Sequence, residues 1–161
     1  MRQSRPRLET GIRLRSRLFG RQYAESSLAG GNTLNREVQE LITEYGYGAV
    51  WSRRGLPLAT RSMLTLGLLA TLNRPDQLKA HLRGALNVGV TRREIVEIFI
   101  HVILYCGAPA GLSAVKVAME VFREEDVEAG SGTGRPATAP KNARSRKRPL
   151  RGTRRRKART D

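Results

Sequence analysis

Cysteine is nearly absent from this chain: Cys106 stands alone among 161 residues, so no internal disulfide can form. Histidine is almost as scarce, with His81 and His101 the two present, and no Cys/His spacing assembles a metal-ligand set. Aromatic residues make up 5% of the chain. No alternation of apolar and polar residues marks a strand, and no internal repeat is found. Long apolar runs are missing as well: the longest, residues 98–111, is interrupted by His101 and is too short to cross a bilayer. No apolar signal-peptide core opens the sequence. Together these absences predict a soluble all-α protein of a reducing cytoplasm, with no membrane association, no bound metal and no disulfide framework.

What is abundant is positive charge, +16 at neutral pH, and its location decides how it is read. Residues 1–31 hold seven Arg against two Glu, and residues 128–161 hold twelve Arg or Lys against two acids. Between them, eleven basic residues face ten acidic ones. The body is therefore nearly neutral, and the basic character belongs to the ends. Residues 128–161 combine like charge with Gly, Pro and Ala and have no apolar periodicity, the pattern of a disordered tail. One domain is expected over residues 8–127, between a frayed basic terminus (1–7) and that tail. A tail of this kind binds polyanions such as nucleic acid by charge alone, non-specifically and with strong salt dependence, because no aromatics interleave its Arg. It is equally readable as an inert extension.

The body is organised around residues 58–106. Leu58 to Leu72 is apolar nearly all round, which marks a helix buried in a core or in an oligomer interface. Asn73-Arg74-Pro75 stops it and starts another, since proline suits a first helical turn. Leu78, Leu82, Ala85 and Leu86 form one face of that short helix, with His81 on its border. Gly89 suits a left-handed cap, and Thr91 with Glu94 forms a capping box for the next helix. Ile95, Ile98, Phe99, Val102, Ile103 and Cys106 then share one face. Earlier, Leu8 to Leu18 is compatible with a short helix ended by Gly20, and residues 26–32 read as a loop, with Thr33 or Asn35 as N-cap. Leu34, Val38, Leu41, Ile42, Tyr45 and Val50 recur at helical spacing, with a bend or irregular turn expected near Tyr45-Gly46-Tyr47-Gly48. After Gly107-Ala108-Pro109, a last helix shows Leu112, Val115, Ala118, Met119 and Phe122 and dissolves into Arg123-Glu124-Glu125-Asp126. The expected architecture is a compact bundle of about six short helices.

Several side chains carry possible chemistry. His81 can hold and give a proton near neutral pH, although a histidine bordering an apolar stripe is also compatible with a structural role. Arg61 lies on a helix with almost no other polarity, where a guanidinium must find an anion: either a substrate or a structural partner such as Glu44. Tyr45, Tyr47 and Trp51 can wall a pocket or fill a core. His101, one turn from both Glu97 and Tyr105, reads as part of a hydrogen-bonded structural face. Cys106 reads as an inert buried thiol at the end of a core stripe; lining an active site would instead require an exposed thiolate.

The chain resembles the 4-carboxymuconolactone decarboxylase family, small all-helical proteins related to the alkylhydroperoxidase D fold. The likeness extends from about Gly11 to Asp126. It is carried by Leu41-Ile42-Thr43-Glu44-Tyr45, Trp51, Gly55-Leu56, Thr60-Arg61-Ser62, His81-Leu82-Arg83-Gly84-Ala85-Leu86, Gly89-Val90-Thr91, Glu94-Ile95 and Tyr105-Cys106-Gly107-Ala108-Pro109-Ala110. One departure is Ala49, where members often carry an acid. The resemblance implies cofactor-independent loss of CO2 from γ-carboxymuconolactone to give β-ketoadipate enol-lactone, a step of aromatic-acid catabolism. It implies His81 as the acid–base residue, Arg61, Trp51, Tyr45 and Tyr47 against the substrate, and His101, Cys106 and Glu44 around them. It also implies a homo-oligomer, a hexamer. Related members act on other small acids, which is the alternative reading. The dithiol peroxidases of the same fold use two cysteines, three apart, before a histidine four residues on; counted back from His81, those positions are Arg74 and Gln77. Dithiol chemistry at that site is excluded.

Overall fold

The computed structural model describes residues 5–29 and 33–131, without the side chains of residues 33, 34 and 131. The architecture is all-α. Helices α1 (Pro6–Phe19), α2 (Arg21–Ala29) and α3 (Thr33–Leu41) come first, and α3 runs directly into a π-helical segment, Ile42–Trp51. Helices α4 (Leu58–Thr71), α5 (Pro75–Asn87), α6 (Arg92–Cys106) and α7 (Ala108–Ser131) follow. No strand occurs among the described residues, and no helix there is long and apolar enough to cross a membrane.

The expected punctuation holds in the second half. Pro75 sits in the first turn of α5, Gly89 has φ +92°, and Thr91 and Glu94 exchange both capping-box hydrogen bonds. Four helices, α4 to α7, enclose the main core, in which Leu66, Leu82, Ile95, Phe99 and Val121 are fully buried.

Besides α1 beginning at Pro6, inside the terminus expected to fray over residues 1–7, with Arg5 paired to Glu40 and Glu44, four differences from the sequence reading follow from packing. Residues 21–29, partly read as loop, form α2, because Ala24 is buried and the Tyr23 ring packs on Phe19 at 5.3 Å. Asn35 lies inside α3 rather than at its cap; residues 30–32 of the expected loop lie outside the described residues. The end of α7 does not dissolve at the acidic run. Glu124 takes Lys79 at 2.7 Å and also Arg83, while Asp126 takes Arg92 through two hydrogen bonds of 2.6 and 3.0 Å. The helix therefore continues to Ser131, past the boundary expected at residue 127, and residues 132–161 of the expected tail lie outside the described residues.

The fourth difference concerns the stripe Val38, Leu41, Ile42, Tyr45 and Val50, which is exposed. The opposite flank, Gln39, Thr43, Tyr47 and Trp51, faces inward. The irregularity expected near Tyr45–Gly48 takes the form of π geometry over residues 42–51, where each carbonyl accepts from the fifth amide on, as Tyr47 does from Ser52 at 3.1 Å. Helix α1 crosses this segment at two glycines. A Cβ on Gly11 would lie 2.0 Å from the Thr43 carbonyl oxygen, and one on Gly48 would lie 2.0 Å from that of Arg7. No larger residue fits at either point.

Candidate functional site

His81 lies on the flank of α5 whose buried residues are Leu78, Leu82 and Ala85, so its backbone is anchored by the core while its imidazole stays half-buried at the edge. The Phe19 ring meets it at 5.2 Å and 88°, edge to face. Gly84 makes this possible, because a Cβ there would come within 2.9 Å of Phe19 Cε1. Asn87 secures the same junction by donating from Nδ2 to the Leu18 carbonyl at 2.8 Å, tying the last turn of α1 to α5.

Trp51, at the end of the π segment, approaches His81 from another side at 6.4 Å and 39°. Tyr47, one turn earlier, packs on Trp51 at 5.5 Å and on Phe19 at 6.0 Å and 90°. Phe19 and Trp51 therefore each touch both Tyr47 and His81. The cluster has two apolar walls and two polar-tipped rings, a phenol and an imidazole. Burial lowers the His81 pKa below its ordinary value and so favours the neutral imidazole. Burial pushes the Tyr47 phenol up to about 12, with Arg15 opposing and Tyr23 adding to the shift. Tyr47 is 8% exposed, and its hydroxyl has no hydrogen-bond partner among the described residues.

Beside the phenol sits a cation that sequence reading passed over. Arg15 is 4% exposed, with its guanidinium carbon 5.5 Å from the Tyr47 ring centroid and 5.8 Å from that of Tyr23. It donates to Thr43 Oγ1 at 2.7 Å and to Gln39 Oε1 at 3.0 Å, while its Nε is buried without a partner. No carboxylate among the described residues pairs with it. Desolvating such a charge costs several kcal/mol. Two hydrogen bonds from a charged donor, about 1.5–3 kcal/mol each, and cation–π contacts of about 1–2 kcal/mol offset part of that cost. Gly11, Arg15 and Leu18 mark the inner face of α1, but composition hides Arg15 among the other Arg of residues 1–31.

Arg61, near the start of α4, is also without a carboxylate among the described residues. It donates from Nη2 to the Arg53 carbonyl at 3.0 Å, and its Nε is buried and unpartnered. Arg53 belongs to the loop that follows Trp51, so this bond ties Arg61 to the edge of the ring cluster. The pairing with Glu44 considered from sequence does not form. Glu44 instead takes Arg5, which also binds Glu40 at 2.9 Å, because the Glu44 flank of the π segment faces the start of α1.

Three other expected residues lie apart from the cluster. Tyr45 is 66% exposed, on the outward flank opposite Tyr47. His101 is exposed and packs on Tyr105 at 4.6 Å; Cys106 is exposed rather than buried, with its Sγ 3.3 Å from the Thr71 hydroxyl. The core stripe of α6 ends at Val102, and the next turns face an open groove between α4 and α6 that His101 and Cys106 both line. No group of three or more His, Cys, Asp or Glu among the described residues is placed to hold a metal ion.

Comparison with known proteins bears on this arrangement. Residues 36–120 match the model of a family described as the carboxymuconolactone decarboxylase family, a stretch that includes Tyr47, Trp51, Arg61 and His81. The 4-carboxymuconolactone decarboxylase of Acinetobacter baylyi is 40% identical over 118 residues, covering 73% of this chain and 88% of that protein. Nitrosuccinic acid decarboxylase npaB of Metarhizium robertsii is 40% identical over 116 residues, covering 72% of this chain and 81% of that protein.

Proposed function

Because this chain belongs to the carboxymuconolactone decarboxylase family, we propose that it is a cofactor-independent carboxy-lyase acting on γ-carboxymuconolactone. Loss of CO2 breaks a carbon–carbon bond whose electron pair runs through the ring alkene into the lactone carbonyl, and a proton must then reach a ring carbon. The observation that carries the reading is His81 set between Phe19 and Trp51, in a ring cluster that Arg15 joins at Tyr47 and that Arg61 borders through the Arg53 carbonyl, neither arginine neutralised by a carboxylate among the described residues. Apolar walls suit departure of an uncharged CO2, and unneutralised cations suit a substrate with two carboxylates.

His81 is the proton donor in this scheme. Burial favours neutral imidazole, so the proton is loaded when the anionic substrate arrives and raises the histidine's affinity for it. Donation to the ring carbon returns the imidazole to its neutral form, and water reloads it. Arg61 holds the carboxylate that does not leave. The product is β-ketoadipate enol-lactone, which places the reaction in aromatic-acid catabolism.

The two named relatives act on different acids, and the chemistry shared by their substrates is a carboxylate placed next to an electron sink, beside a second carboxylate. The deciding experiment incubates purified protein separately with γ-carboxymuconolactone and with nitrosuccinate and follows CO2 release. Turnover of the lactone supports the proposal. Turnover of nitrosuccinate alone replaces the substrate, and release from neither moves the activity to another small acid.

We also propose that the working form is a homo-oligomer, a hexamer. Leu64, Leu68 and Leu72 on α4 and Ile100, Leu104 and Tyr105 on α6 are exposed in the single chain, with Leu104 at 74%. Apolar exposure on this scale is typical of surfaces that dock to another protein.

A further inference from the structure

We propose that Tyr47 and Arg15 form the electrophilic side of this site. The Tyr47 hydroxyl donates a hydrogen bond to the carbonyl oxygen that gains charge as CO2 leaves, and Arg15 is a positioning residue that acts through the Tyr47 ring. The proposal rests on the decarboxylase reading and deepens it.

Both groups have donor capacity that no described residue takes up. Tyr47 is 8% exposed, and its hydroxyl has no protein hydrogen-bond partner among the described residues and is not among the fully buried unpartnered atoms, so it stays within reach of a bound molecule. A guanidinium has five N–H donors, and the two hydrogen bonds of Arg15 go to neutral oxygens of Thr43 and Gln39, not to an acid. The two lie together, with the guanidinium carbon 5.5 Å from the phenol ring centroid. They are held rigidly, since Arg15 is fixed at Thr43 and Gln39, and Tyr47 is clasped by Phe19 and Trp51. A ligand against the shared walls Phe19 and Trp51 is thus approached by an imidazole from α5 and by a phenol from the π segment.

The roles divide by chemistry. Burial lowers the His81 pKa, so His81 gives up its proton readily, whereas burial keeps the Tyr47 phenol protonated, so it remains a hydrogen-bond donor throughout turnover. As the carbon–carbon bond breaks, the electron pair settles on the lactone carbonyl oxygen; the Tyr47 hydrogen bond shortens towards it, and the Arg15 cation is partly neutralised. The fixed charge and the developing charge attract more strongly in the transition state than in the ground state, which accelerates the step. His81 then protonates the ring carbon, and the charge on oxygen returns to the ring.

The test separates this role from structural support. Tyr47→Phe keeps the ring and its packing, and kcat is expected to fall roughly 10²-fold, as on loss of one oxyanion donor, with KM nearly unchanged. Arg15→Met is expected to lower kcat similarly in the full protein but to add little in the Tyr47→Phe background. Arg15→Lys is expected to restore part of the loss. Arg15→Met and Tyr47→Phe effects that simply multiply, or Arg15 losses that follow only the melting temperature, would overturn the proposal. A second reading needs no turnover: with fluorotyrosine at position 47, fluorine NMR of the ligand-free protein should show the phenol titrating at higher pH after Arg15→Met. An unmoved titration removes the coupling. If the wild-type protein releases no CO2, the decarboxylase reading fails by itself, and the titration still decides whether Arg15 acts on Tyr47.

Discussion

Trp51 on the π segment and His81 on α5 hold their rings 6.4 Å apart at 39°, so the imidazole is set against an apolar wall supplied by a distant part of the chain. The other wall, Phe19, comes from α1 and depends on a close approach at Gly84. Three separate elements thus meet at one half-buried imidazole.

His81→Ala is expected to lower turnover by about 10² to 10⁴, the range for loss of a positioned acid or base. His101→Gln, in the groove between α4 and α6, should do much less. Arg61→Met should raise KM more than it lowers kcat if Arg61 holds the spare carboxylate in ground and transition states alike. Steady-state kinetics on circular-dichroism-checked variants measures all three. A folded His81→Ala protein with near-normal turnover would remove the acid from the scheme.

The pH dependence follows from the depressed His81 pKa. An acid must be protonated to act, so kcat/KM should fall as pH rises through the free-protein value, which burial sets below the ordinary histidine value. The fall in kcat should come at higher pH, because the bound dianion favours the imidazolium. Stability has the matching sign. With the folded pKa lowered, the unfolded chain binds more protons below the ordinary histidine pKa, and stability drops as pH falls through that range. His81→Gln should flatten this part of the pH–stability curve in denaturant titrations.

Gly11→Ala and Gly48→Ala should each destabilise the protein by about 1–3 kcal/mol or more, the cost of forced overpacking. Each new Cβ would sit 2.0 Å from a carbonyl oxygen, which must move. Activity should fall further than stability, because the helix pushed away carries both Arg15 and Phe19. Equal folding midpoints for these variants and the parent would show that α1 does not sit tightly on the π segment.

Light scattering should find an assembly larger than a monomer at micromolar concentration, and Leu104→Asp should shift it towards smaller species. Leu104 lies outside the core of the single chain, so the substituted subunit should keep its helical content. A wild-type monomer would contradict the proposed hexamer.

Deleting residues 132–161 should leave turnover intact, since every residue assigned to the site lies between Arg15 and His81. It should remove most retention on heparin, because the deleted segment holds twelve Arg or Lys. Loss of activity in a folded truncated protein would make that segment part of the enzyme.

Much was legible in the sequence, where the signals were local. Pro75, Gly89 and the Thr91–Glu94 box punctuate the helices through the geometry of one or two turns, and Leu78, Leu82 and Ala85 mark the face that anchors His81. Those effects act between neighbours in the chain, so periodicity and capping rules could read them. Tertiary structure alone decided which flank of residues 38–51 faces inward. The apolar stripe through Leu41 and Tyr45 looked like core but lies outside, whereas Gln39, Thr43 and Tyr47 turn in, because the buried Arg15 needs polar oxygens and an aromatic face. The same holds for Cys106, which ends an apolar periodicity but lines the open groove between α4 and α6. Pairing between elements far apart in sequence sets both outcomes, and the period of a single helix holds no information about which partner will cover it.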